Sequence, residues 1–472
     1  MRIFVRSVLA AAALSRFAAA APNVVVIDIC SVRADHMGAY GYARDTTPRI
    51  DALAREGALF ENAMAQGSWC LPNYATLFTG RPSEAHGLYT NRPHGIPDFE
   101  PTLAETLKKA GYETAAFSGG IYMIPEWGLD RGFDVYVNSF STAPEHRAQA
   151  PLQANLDKVD GWLADREKKS GEKDKPFFLY LAVDNLHAPI QLDGPDRYDA
   201  KYDGVAADTR TMGVPFARAY GGEKSGFKSD VPELLREFKS DPRHLRHYVA
   251  RYDSAMREMD DQIGRFLDRL KKRGLDSNTI IVLTGDHGES LGEHGLLGHT
   301  SGLYEPTLRV PLIVVRPDRP GLAGRRVSQV IERMDLMPTI LDWAGADAAA
   351  LSLPGRSLQP LLADPSASWR RYAFASSRRN LDDNDGADLR IDERVVRDGR
   401  WKLHSYLYKD FYELYDLNAD PGETRDVAAD HPEIVARLSF ELLRWLEENR
   451  PRRPSAPETP APDPLTERRS RN

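Results

Sequence analysis

The stretch Thr279–His299, "TIIVLTGDHGESLGEHGLLGH", joins an apolar β-branched run to a dense set of acidic and imidazole side chains. Thr279–Thr284 reads as a strand buried on both faces. It runs straight into Asp286 and His287, then Glu289, Glu293, His294 and His299. In open α/β sheets, sites lie beyond the carboxyl ends of the strands. The same pattern recurs outward from this stretch. Asn23–Ile29 ends at Cys30-Ser31, and Phe177–Val183 ends in "DNLHAP", which carries His187. Val310–Val315 and the weaker Thr114–Ser118 are further strand candidates. Between them lie helical patterns at Pro48–Glu56, Pro101–Ala110 and Tyr248–Arg273, each followed by glycine. Strands alternating with helices predict an α/β domain: a large, mostly parallel sheet with helices on both faces.

After about Pro365 the pattern changes. "RVVRDGRWKLHSYLYKDFYELYDL" has short aromatic strands around an Asp398-Gly399 turn, and a helix is expected over Pro432–Glu448. This predicts a smaller C-terminal α+β subdomain at 366–448, after a main domain at 22–365. Residues 449–472 are rich in Pro and Arg and are expected to be a disordered tail. At the other end, residues 1–21 have a basic start, an apolar middle and small residues near Ala20 and Ala21, the layout of a cleaved signal peptide. The expected location is therefore outside the cytoplasm, periplasmic or secreted. No later segment is apolar for long enough to suggest a transmembrane span. The 472 residues carry a net charge of −7, which gives no basic face for nucleic acid.

The acid and imidazole groups at one rim suit a metal site with general acids beside it. Cys70 joins them by a separate argument. In "SWCLPNYATLFTG", Pro72 suits the first turn of a helix that runs to Thr79 and stops at Gly80. Cys70 then sits at the helix N-terminus, where the dipole favours a thiolate. Glu289 and His294 read as supporting residues, and Asp184 and Asn185 as loop residues. Segment 190–247 reads as a lid over the site.

These stretches, with "RADHMGAYGYARDTTPRIDALAREGALFENAMAQGSWCLPNYATLFTGRPSEAHGL", "YEPTLRVPLIV", "DLMPTILDWAG" and "LYDLNADPGETRDV", resemble the sulfatase family of the alkaline-phosphatase-like superfamily. The resemblance implies a metal-dependent hydrolase of sulfate esters, acting on a small-molecule or glycan sulfate. Cys70 stands where the family oxidises a cysteine to formylglycine, whose hydrate attacks sulfur. His187 and His299 match basic residues at the sulfate and leaving group. Asp286 and His287 match ligands of a divalent cation, calcium by family. Three positions depart from the pattern. Tyr74 replaces the arginine of Cys-x-Pro-x-Arg, Cys30-Ser31 replaces an acidic pair, and "SGGIYMIPEWGLDRGFD" replaces a Lys-x-His segment.

Asp28 is the nearest carboxylate to the missing pair. Strand periodicity puts it on the same side as Cys30, roughly 6.5 Å back. The expected metal set is thus Asp28, Cys30, Asp286 and His287, and the thiol opens zinc or manganese beside calcium. Both cysteines fall where the family holds one ion, which predicts that they lie within reach of each other, as a disulfide or as ligands. Two further readings stay open: an exported sulfatase-fold binding protein without chemistry, and a phosphate-ester hydrolase or phosphotransferase of the same superfamily.

Overall fold

The computed structural model describes residues 21–450, apart from 92–94, 141–150, 170, 172–174, 188–189, 191, 193–196, 199–241, 300–301, 380–390 and 408–410. The expected signal peptide, most of the expected lid and the expected tail lie outside the described residues.

The main sheet is built from β1 (Asn23–Ile29), β2 (Ala58–Met64), β3 (Glu113–Ser118), β4 (Val135–Asn138), β5 (Phe177–Val183) and β6 (Thr279–Gly285). After a short ladder of β7 (Ser290–Leu291) and β8 (Leu297–Gly298), it is completed by β9 (Arg309–Val315) and β10 (Arg325–Glu332). The order across it is β10-β2-β9-β6-β1-β5-β3-β4. β9 runs antiparallel to both of its neighbours, and the remaining pairings are parallel. The large, mostly parallel sheet read from the sequence is therefore present, with one strand reversed.

The strand period of two sorts the core into two layers. Val24, Val26, Tyr180, Ile280 and Val282 face a layer that includes Leu71, Leu77, Leu103 and Ile340 from the helices Cys70–Thr79, Leu103–Lys109 and Leu336–Ala344. Val25, Ile27, Leu179, Leu181 and Ile281 face the opposite layer, with Ile50, Leu156, Met259 and Ile263 from Pro48–Glu56, Leu152–Lys168 and Pro242–Lys272. β1, β5 and β6 are buried along their whole length, which is why they read as continuous apolar runs. The helix expected over Pro101–Ala110 begins at Leu103 instead. Thr102 caps it, accepting from Glu105 N at 3.1 Å while Glu105 Oε2 accepts from Thr102 N at 2.8 Å.

The C-terminal sheet is antiparallel, in the order β11 (Ala373–Arg379), β12 (Ile391–Arg397), β13 (Trp401–Tyr406), β14 (Phe411–Asp416). The helix Pro432–Glu448 packs on it through Leu438, Leu442 and Trp445, the last stacked on Phe374 with ring centroids 4.7 Å apart. Charged side chains join this sheet to the main domain. Lys402 is fully buried and meets Glu305 at 3.1 Å and Glu423 at 2.8 Å, and His404 lies between Glu393 and Glu423.

Candidate functional site

β1, β5 and β6 are adjacent and parallel, so their carboxyl ends open onto one place. The segments leaving these three strands, with the Cys70 helix, build the site. Beyond β1, Ser31 adopts a left-handed backbone (φ 59°), uncommon for a residue with a side chain. That turn lets Ser31 N–H donate to Asp286 Oδ1 at 3.1 Å, while Tyr252 donates to the Ser31 carbonyl at 2.7 Å. Cys30 is thereby held against the end of β6.

Cys70 is the first residue of the helix Cys70–Thr79, every residue of which is buried. Gly80 ends this helix in a left-handed turn (φ 64°), donating to the Thr76 carbonyl. At the other end Asn91 accepts from Leu71 N–H at 2.9 Å. The Asn73 side chain braces the entering loop through the Gly67 and Trp69 carbonyls at 2.8 and 3.0 Å. The Cys70 sulfur is therefore fixed at the positive end of a helix dipole.

Around this sulfur the sequence-predicted residues come together. Cys30 Sγ lies 3.8 Å from Cys70 Sγ, and the two thiols are not bonded to each other. His287 Nε2 lies 3.2 Å from Cys70 Sγ and His299 Nε2 lies 3.9 Å from it. His187, His299 and Cys70 bring their ligand atoms within 4.8 Å of one another, and so do Cys30, Cys70, Asp286 and His287. The three imidazoles pack as a cluster, with His187–His299 centroids at 4.9 Å and His287–His299 at 4.3 Å.

Each of two rings is oriented from behind. His287 Nδ1 is 2.8 Å from the Gly288 carbonyl, so Nδ1 donates there and Nε2 faces the Cys70 sulfur. His299 Nδ1 is 2.9 Å from Glu289 Oε2. Arg33, itself buried, donates to the Glu289 carbonyl at 3.1 Å and ties β1 to this loop.

Burial opposes charge on Cys70, but the Cys30 hydrogen bond and the His287 and His187 imidazoles outweigh it and hold the thiol well below its ordinary range. Burial and that same hydrogen bond push Cys30 well above its range. Burial also disfavours a charged His299, yet the Glu289 carboxylate and Cys70 prevail and raise its pKa. The site thus sets a thiol held low beside two imidazoles, His187 and His299, whose pKa values are raised.

One sequence expectation fails. Asp28 is on the predicted face, but its carboxylate is not turned to the cluster. Oδ1 accepts from Arg333 at 3.1 Å; Oδ2 accepts from a second Arg333 nitrogen and from the Tyr180 hydroxyl at 2.6 Å. An unpaired carboxylate in this core would be costly, and Arg333 neutralises it. Asp28 therefore drops out of the ligand set.

Two residues join the site that the sequence named without placing in it, Asp184 as a loop residue and Tyr74 as a departure from the motif. Asp184 is buried, accepts from Gly119 N–H at 3.3 Å, and is pushed up to about 7, chiefly by burial. A Cβ on Gly120 would lie 2.3 Å from its Oδ1, so glycine is needed there. Tyr74, one turn after Cys70, is buried, and its hydroxyl has no hydrogen-bond partner among the described residues. Burial first, then the charges of Cys30 and Asp286, push its pKa up. A second strand-end carboxylate and the i+4 spacing from Cys70 were the available signals.

The calcium ion implied by the resemblance does not fit these residues. Calcium takes roughly 6–8 oxygen ligands. Here two thiols and an imidazole surround Asp286, and the carboxylate of Asp28 is engaged elsewhere.

Comparison with known proteins identifies the family and the fold. Residues 22–346 match the sulfatase family, and residues 292–449 match the C-terminal domain of N-sulphoglucosamine sulphohydrolase. An arylsulfatase of Clostridium perfringens is 26% identical, over 90% of this chain and 94% of its own. The human N-sulphoglucosamine sulphohydrolase is 26% identical, over 86% of each chain. The crystal structure of a phosphonate monoester hydrolase of Agrobacterium radiobacter superposes with a TM-score of 0.71 at 25% identity, covering 90% of this chain and 95% of that one. With its fold, its rim of Cys70, His187, Asp286, His287 and His299, and a family match over residues 22–346, the chain belongs to the sulfatase family.

Proposed function

We propose that this chain hydrolyses a sulfate ester, with the side chain of residue 70 as nucleophile and His187, His299 and Glu289 as its working partners. The observation that carries this reading is the Cys70 sulfur at a helix N-terminus, with His287 at 3.2 Å and His299 at 3.9 Å. Cationic His299 binds the ester's charged oxygens. The bond that forms joins residue 70 to the sulfur of the ester, and the bond that breaks joins that sulfur to the alcohol oxygen. His187 protonates the departing alcohol. With residue 70 as the formylglycine hydrate, its second hydroxyl then gives up its proton and the carbon–oxygen bond to the sulfate breaks. The aldehyde re-forms as sulfate leaves, and water rehydrates it. Of the two hydroxyl protons, one returns to His187 and the other passes to solvent. Oxidation of Cys70 to formylglycine, export from the cytoplasm and a signal peptide belong to the same proposal, supported by the family match and the layout of residues 1–21. Among the described residues no helix is long and apolar enough to cross a membrane.

A second reading concerns phosphate or phosphonate monoesters. Tyr74 in place of the motif's arginine, beside a thiol held below its ordinary range, favours an unmodified thiolate, a nucleophile suited to phosphoryl transfer. The phosphonate monoester hydrolase neighbour supports it. Purified protein assayed on aryl sulfates, N-sulfated glucosamine, aryl phosphates and phosphonate monoesters decides between the two. Turnover of sulfates above the others supports the first reading, and preference for phosphorus esters supports the second. A folded protein that turns over none of them contradicts both.

The pH profile of that turnover tests the role of Glu289. Its carboxylate raises the pKa of His299, so His299 stays cationic above the ordinary histidine range and binding fails as pH rises through the raised value. Glu289→Gln removes the carboxylate and lowers that pKa. The alkaline limb of kcat/KM is then expected to move to lower pH by about one unit or more. An unmoved limb would show that Glu289 only packs.

A further inference from the structure

We propose that Cys30, Cys70, Asp286 and His287 form a tetrahedral site for a thiophilic divalent cation, zinc in the first place, where the family resemblance implies calcium. This goes beyond the proposed function: it concerns which ion the thiol form of the chain holds, a form in which the Cys70 sulfur is taken by the ion rather than free to attack an ester. The four ligand atoms lie within 4.8 Å of one another, all on fully buried side chains. Three of the six separations among them can be set against the edges of a coordination tetrahedron. With zinc–sulfur bonds of about 2.3 Å, such a tetrahedron has a sulfur–sulfur edge of about 3.8 Å. The Cys30–Cys70 separation is 3.8 Å. For nitrogen and oxygen ligands at about 2.0–2.1 Å the edge is about 3.3 Å, and the mixed sulfur–nitrogen edge is about 3.5 Å. His287 Nε2 lies 3.5 Å from Asp286 Oδ2 and 3.2 Å from Cys70 Sγ.

The donor atoms are also prepared for an ion. Asp286 Oδ1 is occupied by the Ser31 and His287 backbone N–H groups, whereas the buried Oδ2 has no hydrogen-bond partner among the described residues. A carboxylate oxygen left bare in the core is costly unless something else satisfies it. His287 has its Nδ1 fixed by the Gly288 carbonyl, the outer hydrogen bond that metal-ligating histidines make. Two thiolates, one imidazole and one carboxylate are a soft, four-coordinate set that selects zinc over calcium or magnesium. A disulfide, the competing state, needs the sulfurs at about 2.05 Å.

The experiment uses the full-length protein, with mass spectrometry first confirming cysteine at residue 70. Metal content is measured after purification. The metal-free, reduced protein is then titrated with cobalt(II), whose visible and near-ultraviolet bands report tetrahedral thiolate ligation. Expected are one zinc per chain, tetrahedral cobalt bands with thiolate charge transfer, and displacement of cobalt by zinc but not by calcium. Cys30→Ser is expected to weaken cobalt binding by more than the roughly 10–100-fold that loss of an outer-shell partner costs. Octahedral cobalt bands, binding of calcium in preference to zinc, or a folded reduced protein that takes up no metal would each overturn the proposal. Should Cys30→Ser fail to fold, the cobalt spectrum of the unaltered protein decides alone. None of these readouts depends on catalysis, so failure here and failure of the hydrolase reading are separate results.

Discussion

Cys70→Ala is expected to lower kcat for ester hydrolysis by roughly 10⁴- to 10⁶-fold, the scale on which removing a covalent nucleophile acts. The change removes one buried sulfur at the start of a helix whose other contacts are untouched, so the fold should persist and circular dichroism should be unaltered. His187→Ala is expected to cost less, roughly 10²- to 10⁴-fold, because a proton donor can be partly replaced by water. The ordering matters more than either value. If Cys70→Ala turned over ester at a rate close to that of the unaltered protein, residue 70 would not be the nucleophile, and the site would have to work through another group.

Arg333→Met is expected to destabilise the protein by roughly 3–5 kcal/mol, because it leaves the Asp28 carboxylate buried without a counter-charge. Asp28 and Arg333 are both essentially inaccessible, and Arg333 also donates to the Asn73 carbonyl at 2.9 Å and to the Gly285 carbonyl at 2.6 Å. One guanidinium thus joins the Cys70 helix, the end of β6 and the lone carboxylate of β1. Replacing the partner as well, in Asp28→Asn with Arg333→Met, should recover much of the loss, since no charge is then stranded. Urea denaturation of the single and double variants measures this. A double variant no more stable than Arg333→Met alone would show that the backbone contacts of Arg333, not its charge, hold the structure.

Legibility in the sequence depends on which physical property each signal encodes. β1, β5 and β6 were legible because both faces are buried, which makes most of their positions apolar. β2 was not: "ALFENAM" carries Glu61 and Asn62, partly exposed beside Arg326 and Arg397, and so breaks the apolar run. β10, at the sheet edge, begins with two arginines and reads as polar. Within the site, Cys30 and Asp286 were found because each directly follows a strand; Asp184 follows β5 in the same way and was read as a loop residue. Asp28 was misassigned because strand period gives the face of a side chain and not its partner, and its partner lies 305 residues away. The raised pKa of Asp184 comes chiefly from burial at the end of β5, which depends on neighbours that no local pattern names.

The most direct test tracks the transferred group itself. A ³⁵S-labelled sulfate ester is mixed with excess enzyme and quenched in acid over a time series, and the peptide containing residue 70 is isolated at each point. Label is expected to rise on that peptide as the alcohol is released, then to fall as free sulfate appears, with Glu289→Gln slowing both phases at alkaline pH. Label that passes from ester to free sulfate without ever residing on that peptide would contradict nucleophilic attack by residue 70.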